Sequence, residues 1–270
     1  MAPLHPTRQP TAPMIPREAP PLGSATILSQ RWSEVSFLHW RVDPSLVEPH
    51  MPAGCRPDVF DGSSWVGIIA FQMSKSSFFG GPSIPWLGDF PEVNVRLYSI
   101  DEQGRRGVVF VSLEASHLIP VLMARAAFGL PYQWASMKIG QRDGKVAYKT
   151  RRHGQPDAAS HIIVQPTDDP AASVALAADP LATFLTARWA FHETHRGATI
   201  YCRNHHEPWP LQPATLLHLD DGLLAVAGFE GLADRAPDSV LYASEVRTVF
   251  AAAENNKQRE RVWQARLRAV

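Results

Sequence analysis

The stretch RAAFGLPYQWASMK, Arg125 to Lys138, decides how this chain is read. Gly129 can adopt positive φ and close a helix, while Pro131 fixes its own φ and drives Leu130 toward extended geometry. A helix end, a Leu130-Pro131 corner and the start of a strand follow. Beyond the corner Tyr132, Trp134, Ser136 and Lys138 share one parity and would face one side of an extended strand, with Tyr132 the first side chain presented.

Outward from that corner the pattern is short strands separated by turn residues. Ser33 to Arg41 and Ser64 to Met73 read as strands; between them Asp43 is an N-cap, Pro44 an N1 proline, and Met51-Pro52 ends the short helix near His50. Glu92 to Ile100 and Arg106 to Ala115 make a hairpin across Asp101-Glu102-Gln103-Gly104. Trp134 to Gly140 and Lys145 to Arg151 make another across Arg142-Asp143-Gly144. Between the hairpins, His117 to Phe128 is apolar at helical spacing. The Gly/Pro/aromatic loop from Ser76 to Pro91, with Phe78, Phe79, Gly80, Gly81 and Trp86, is long enough to need a purpose.

Thr150 to Val164 could add a strand before the polar loop Thr167-Asp168-Asp169-Pro170. A second helix is expected over Leu181 to Trp189, with Asp179 as cap and Pro180 at N1. Further strands are expected at Thr199 to Arg203, Ala214 to Leu219, Leu223 to Phe229 and Leu241 to Phe250. Brief helices and turn signals about every ten residues argue for a mainly β chain, an antiparallel barrel or sandwich, and against a βαβ array.

Composition bounds the function. The chain has 270 residues and 45% hydrophobic content, enough for a sizeable core. Its 26 basic and 26 acidic residues balance, so no global field gathers nucleic acid or an anionic membrane. No segment approaches the roughly 18 to 20 apolar residues of a membrane span. Cys55 and Cys202 are too few for a disulfide framework and suit a reducing, cytoplasmic setting. Residues 1–22 hold seven of the 24 prolines and read as a disordered arm; 23–250 form one domain; 251–270 are either an amphipathic helix or disordered.

The corner resembles the acetoacetate decarboxylase family, whose Arg-Glu-x-aromatic-Gly-x-Pro-Lys-Lys segment carries a lysine that forms a Schiff base with a keto acid. Arg125, Phe128, Gly129 and Pro131 fit; Ala126 replaces the Glu, and Tyr132 and Gln133 replace the lysines. A phenol cannot form an imine, so that chemistry cannot run from this position. The similarity is closer to the uncharacterised YqjF-like family of the acetoacetate decarboxylase-like superfamily. It covers roughly Gln30 to Phe250 and is supported by WRVDPSLVEPHMP, SSWVGIIAF, FPEVNVRLY, GVVFVSLEAS, LTARW and HEPWPLQPA. The resemblance implies a barrel-like, single-domain β fold with the site inside.

On FPEVNVRLY, Glu92, Asn94, Arg96 and Tyr98 share one face, and Val93, Val95 and Leu97 the other. Alternation alone leaves open which face meets water. In the namesake decarboxylases a glutamate placed like the one in Phe90-Pro91-Glu92 belongs to the active site, and this turns the polar face inward. Glu92 and Arg96 would then compensate each other, and Arg96 could grip a ligand carboxylate by two prongs. Glu114, from Ser112-Leu113-Glu114, is a candidate second carboxylate that would raise a neighbour's pKa; the alternative is an exposed edge residue. Tyr132 suits a proton or hydrogen-bond donor, or fills the cavity mouth. Arg125 is the other candidate ligand-binding cation.

Lys138 shares Tyr132's parity but lies roughly 20 Å further along an extended strand. Arg31 and Arg41 miss the position of the family's carboxylate-binding arginine. In His192-Glu193-Thr194-His195 the histidines are three apart, not the four of a zinc-protease helix, so no metal is expected. No cofactor fingerprint, P-loop or GxSxG elbow is present. Trp209 in HEPWPLQPA would wall the cavity or plug the barrel end, and plugging is the preferred reading.

The function expected is therefore binding of a small carboxylate- or carbonyl-bearing molecule, with Tyr132, Glu92 and Glu114 catalytic and Arg96 and Arg125 substrate-binding. Any turnover would be lyase- or isomerase-type acid/base chemistry without an imine. A non-catalytic ligand binder or structural subunit is the alternative, and a homo-oligomer is compatible with either.

Overall fold

The computed structural model describes residues 15–83, 88–118, 121–122, 125–126 and 129–255. Residues 1–14 of the arm, Trp86, Phe128 with part of the 117–128 helix, and the tail from 256 lie outside the described residues.

Three long strands carry the architecture: β1 (Thr26–Val42), β3 (Ser64–Phe78) and β4 (Phe90–Asp101). The short β2 (Cys55–Pro57) lies on the edge of β4. After them come β5 (Arg106–Ala115), β6 (Tyr132–Arg142), β7 (Lys145–Arg152), β8 (Ala159–Pro166), β9 (Ala190–His195), β10 (Ala198–His205), β11 (Leu211–Asp221), β12 (Ser239–Ala251) and β13 (Glu254–Asn255). Among the described residues these form one 13-stranded sheet ordered β13-β10-β9-β5-β6-β7-β8-β11-β12-β1-β3-β4-β2. Additional β4–β5 and β10–β12 pairings tie it back on itself. Hydrogen-bonded neighbours therefore run in a ring, β1-β3-β4-β5-β9-β10-β12, which encloses a chamber. The result is a large folded-back sheet, barrel-like without being one regular barrel. Most pairs are antiparallel, as expected, but β5 pairs in parallel with β6 and β9.

The central layer is buried on both faces. Val35, Phe37, Ile69 and Phe71 look into the chamber. Leu38, Trp40, Ile68, Val95 and Leu97 pack in a second core against Tyr148 and Ile162 of β7 and β8 and against Leu223 and Leu224. This double burial is why SSWVGIIAF is nearly unbroken in its hydrophobicity. Each large aliphatic or aromatic side chain buried here stabilises the fold by about 2 kcal/mol.

Several local expectations hold. The Asp43 carboxylate caps α1 (Pro44–Val47) by accepting from Ser45 N at 2.8 Å, and Asp179 caps α3 (Pro180–Thr186) by accepting from Leu181 N. Others do not. Leu223–Val226 is a helix, α4, rather than a strand, because Asp221 Oδ2 accepts from Leu224 N at 2.9 Å and so caps a helical turn. The Asp169 carboxylate caps an unforeseen helix, α2 (Pro170–Ala178).

The arm docks from residue 15 onward: Ile15 packs on the chamber core, and Trp189 Nε1 donates to Pro16 O at 2.8 Å. The start of the tail is a strand, since Glu254 and Asn255 pair with β10, and the Glu254 carboxylate meets Arg203 at 3.0 Å. No described helix is long and apolar enough to cross a membrane.

Candidate functional site

The chamber contains a cavity of about 290 Å³, at the lower end of the range for small-molecule sites. Its wall is largely apolar, built from Phe37, Ile69, Phe71, Phe90, Phe110 and Phe191 among others. Alternate residues of β4 bring polarity into it: Glu92, Asn94 and Arg96 all line the cavity, so the polar face of FPEVNVRLY points inward.

Tyr132 arrives from the corner. Gly129 closes the preceding turn, with its N–H donating to Arg125 O at 3.0 Å, and its φ of 70° is one that L side chains rarely adopt. A Cβ there would lie 2.7 Å from Thr194 O, so β9 packs directly on the glycine. Tyr132 then opens β6 opposite Leu113, and its hydroxyl donates to Glu92 Oε2 at 2.7 Å. Asn94 Nδ2 donates to Glu92 Oε1 at 3.1 Å.

Burial pushes the Glu92 carboxyl up to about 7, against the opposing pull of the bonds from Tyr132 and Asn94. Burial, and then the neighbouring Glu92 charge, holds the Tyr132 phenol well above its ordinary value. Glu92 is therefore poised to exchange a proton near neutrality, while Tyr132 remains a donor.

Arg96 forms no ion pair with Glu92, contrary to the compensation expected. Its Nη2 donates to Leu185 O at 2.9 Å and its Nε to Tyr98 Oη at 3.3 Å, which leaves Nη1 without a protein partner among the described residues. Its guanidinium lies 5.7 Å from the Phe37 ring centroid. Below it, His39 and Tyr98 share a 2.6 Å hydrogen bond.

Two expected residues are elsewhere. Glu114 faces the opposite side of the sheet, fully buried, and Arg152 grips it with Nη2 at 2.5 Å and Nε at 3.2 Å. The hairpin begins in register with Ile100 opposite Arg106, and continuing it would set Glu92 against Glu114. A bulge between Val95 and Arg96 shifts the pairing by one residue, so Ala115 faces Glu92 and Glu114 faces Val93. Glu92's raised pKa thus owes nothing to a second carboxylate. Arg125 is exposed outside the cavity, bracing the corner with Nε donating to Tyr132 O at 2.6 Å and Nη2 to Gln133 Oε1 at 3.2 Å.

Lys138 is exposed on β6 opposite Lys149, and none of Lys75, Lys138, Lys145 and Lys149 lines the cavity. His192 and His195 fall on β9, where a spacing of three puts them on opposite faces. His192 is buried with Nδ1 2.8 Å from Ser99 Oγ and Nε2 3.6 Å from Asp101; this serine-histidine-aspartate set is sealed inside the fold. Trp209 walls the cavity and does not plug the barrel. It stacks on Trp32 at 6.1 Å, and its Nε1 donates to Thr186 O at 3.0 Å.

Sequence reasoning gave no cavity role to Arg188, Asn204 and His206, and none to Asn94 beyond its place on the polar face of β4; all four line the cavity. Arg188 is 4% exposed; its Nη1 donates to the buried Asp58 carboxylate at 2.6 Å and its Nε to Phe184 O at 2.7 Å. An arginine inside the apolar LTARW run was the available signal, but its partner Asp58 lies 130 residues away. His206 Nδ1 is 2.6 Å from Glu207 O, and burial lowers its pKa to about 4, so it is neutral at pH 7. Cys202 also lines the cavity, where burial raises its thiol to about 12 and so favours the protonated, unreactive form at neutral pH.

Residues 29–247 match the model of the DUF2071 family, described as an uncharacterized conserved protein. The uncharacterized protein YqjF of Bacillus subtilis (strain 168) is 34% identical over 188 residues, spanning 70% of this chain and 76% of that protein. Solved structures with a similar fold include an acetoacetate decarboxylase-like enzyme from Sphingomonas wittichii RW1, with a TM-score of 0.57 at 15% identity, covering 85% of this chain and 92% of that one. The acetoacetate decarboxylase of Legionella pneumophila has a TM-score of 0.57 at 14% identity and covers 86% and 87%. The enduracididine biosynthesis enzyme MppR, solved with pyruvate, has a TM-score of 0.55 at 16% identity and covers 86% and 91%. The chain belongs to the DUF2071 family and has the acetoacetate decarboxylase-like fold.

Proposed function

We propose that this DUF2071 member binds a small carboxylate- or carbonyl-bearing molecule in its chamber and moves a proton on it without forming an imine. The observation that carries the reading is the Tyr132–Glu92 hydrogen bond of 2.7 Å inside an apolar cavity. A cavity-wall carboxyl whose pKa burial raises to about 7 supports a role in proton exchange. That MppR was solved with pyruvate supports the ligand class by likeness of fold.

In the step proposed, Glu92 takes a proton from the carbon beside the ligand's carbonyl; the electron pair of that C–H bond becomes the enolate C=C bond, and the carbonyl π pair moves onto the oxygen. Arg96 Nη1 and Arg188 supply the positive charge that holds the ligand's anionic groups. Tyr132 and Asn94 keep the Glu92 carboxylate oriented. Returning the proton to another atom completes an isomerisation; delivering it to a departing hydroxide completes a dehydration. No described lysine lines the cavity, and Tyr132 occupies the corner where the family resemblance expects one, so the reading departs from acetoacetate decarboxylation.

The two free thiols, Cys55 and Cys202, favour a reducing cytoplasmic setting. A second reading, a non-catalytic binder, is favoured by the way Tyr132 and Asn94 satisfy both oxygens of Glu92.

Incubating the protein with pyruvate, levulinate and acetoacetate in D₂O and following deuterium incorporation by NMR tests the proposal. Accelerated exchange that falls a hundredfold or more in Glu92→Gln is expected. Saturable binding with no exchange above buffer would favour the binder.

A further inference from the structure

Three residues of the cavity lining, Asn94, Arg188 and Asn204, each carry a buried polar atom that no described residue pairs. Asn94 is 4% exposed, Arg188 4% and Asn204 9%. Asn94 Oδ1, Asn204 Oδ1 and Arg188 Nη2 have no hydrogen-bond partner among the described residues. Folded proteins rarely leave buried polar atoms in that state without a reason.

Their chemistry is of two kinds. Asn94 Nδ2 is committed to Glu92, which turns Oδ1 away from the carboxylate as an acceptor. Arg188 Nε and Nη1 are committed to Phe184 O and Asp58, so Nη2 is a charged donor. They are also ordered in space. Glu92, Asn94, Arg96 and Tyr98 follow one another on one face of β4 at steps of roughly 7 Å, and Arg188 lies with its guanidinium 4.7 Å from the Tyr98 ring centroid. The proton-exchanging carboxyl is at one end of the row, the acceptor is next, and the two arginines are at the far end.

We infer that the ligand is an organic acid carrying a hydroxyl or amino group a few carbons from its carboxylate. The carboxylate engages Arg188 Nη2 and Arg96 Nη1; a hydroxyl shares its one hydrogen between Asn94 Oδ1 and Asn204 Oδ1, and an amino group gives each oxygen its own hydrogen. An unsubstituted acid filling the same space would leave both carbonyl oxygens unpaired, and sites of this kind discriminate strongly against the analogue that lacks the donor. The inference rests on the proposed function for the cavity and adds the residues that select the ligand.

Isothermal titration at pH 7 with matched pairs tests it: butyrate and γ-hydroxybutyrate, pentanoate and δ-hydroxypentanoate, hexanoate and ε-hydroxyhexanoate, and levulinate and δ-aminolevulinate. The substituted member should bind at least tenfold tighter in one pair or more, and the methyl ester of that member at least tenfold more weakly than the acid. Asn94→Leu should reduce the preference within the pair to threefold or less. Asn204→Leu, on a different strand, carries the same readout should Asn94→Leu not fold.

Equal binding within every pair, a preference that survives in the folded variants, or an ester as good as the acid overturns the inference while leaving a ligand-binding cavity intact. Failure of every acid to bind overturns both this inference and the function it rests on.

Discussion

Glu92 and Ala115 face each other across β4 and β5, one position out of step with the Ile100–Arg106 pair at the turn end of the same hairpin. That single-residue offset sends Glu92 into the chamber and Glu114 into the opposite core. One carboxylate lines the cavity and the other is tied to Arg152 inside the sheet packing.

Because the two carboxylates are on separate faces, Arg152→Met should damage stability and leave ligand binding intact. It strands the Glu114 charge in a fully buried position, at a cost of about 3 to 5 kcal/mol. The double change Glu114→Leu with Arg152→Met should recover most of that loss. Urea unfolding of the three variants, with ligand affinity measured on each, checks both halves.

Stability should also carry a pH signature from Glu92. Its folded pKa, about 7, lies above the ordinary 4.5. The folded state therefore holds the proton more tightly than the unfolded chain does. The group's contribution is intact below about pH 4.5 and is lost as pH rises toward 7. Across that window Glu92→Gln should gain on the parent protein by on the order of 3 kcal/mol. Parallel melting-temperature profiles from pH 4 to 8 would show it, and profiles that never converge or cross would contradict the assignment.

Tyr132→Phe removes a bond that pulls the Glu92 pKa down, so the carboxyl should titrate at higher pH in this variant. The protonated carbonyl band of Glu92, followed by difference infrared spectroscopy against Glu92→Gln, should persist to higher pH than in the parent. A stability loss of about 1 to 3 kcal/mol should accompany it.

Gly129→Ala tests the corner. Positive φ and the 2.7 Å approach to Thr194 O both resist a Cβ. A loss of at least 1 to 2 kcal/mol is expected, together with weaker ligand binding, because the turn sets where Tyr132 enters. Thermal melts and titrations on the same sample separate the two effects.

Borohydride treatment in the presence of pyruvate or acetoacetate should leave every lysine unmodified by mass analysis. The described lysines are all exposed and none lines the cavity. A trapped adduct on Lys138 would reverse the imine-free reading.

Local chemistry was enough to read much of this from the chain. Gly129 and Pro131 dictate a corner, Asp43 and Asp179 announce helix starts, and the Asp101–Gly104 turn announces a hairpin, because each acts through its own backbone or a near neighbour. The resemblance carried by FPEVNVRLY turned Glu92, Asn94 and Arg96 inward, and Tyr132 emerged first from the corner as its parity required. Short aliphatic runs were less decisive: Leu223–Val226 suits helix and strand alike until Asp221 caps it.

What the sequence determined alone was the β-rich architecture and the alternation that puts acid, amide and guanidinium on one strand face. These follow from backbone conformation and a side-chain period of two. The tertiary structure decided which of two carboxylates lines the cavity, since a one-residue bulge reverses a parity that sequence shows as unbroken. It also brought Arg188 to the cavity beside Asp58, since burying a guanidinium requires a counter-charge that the chain supplies 130 residues away.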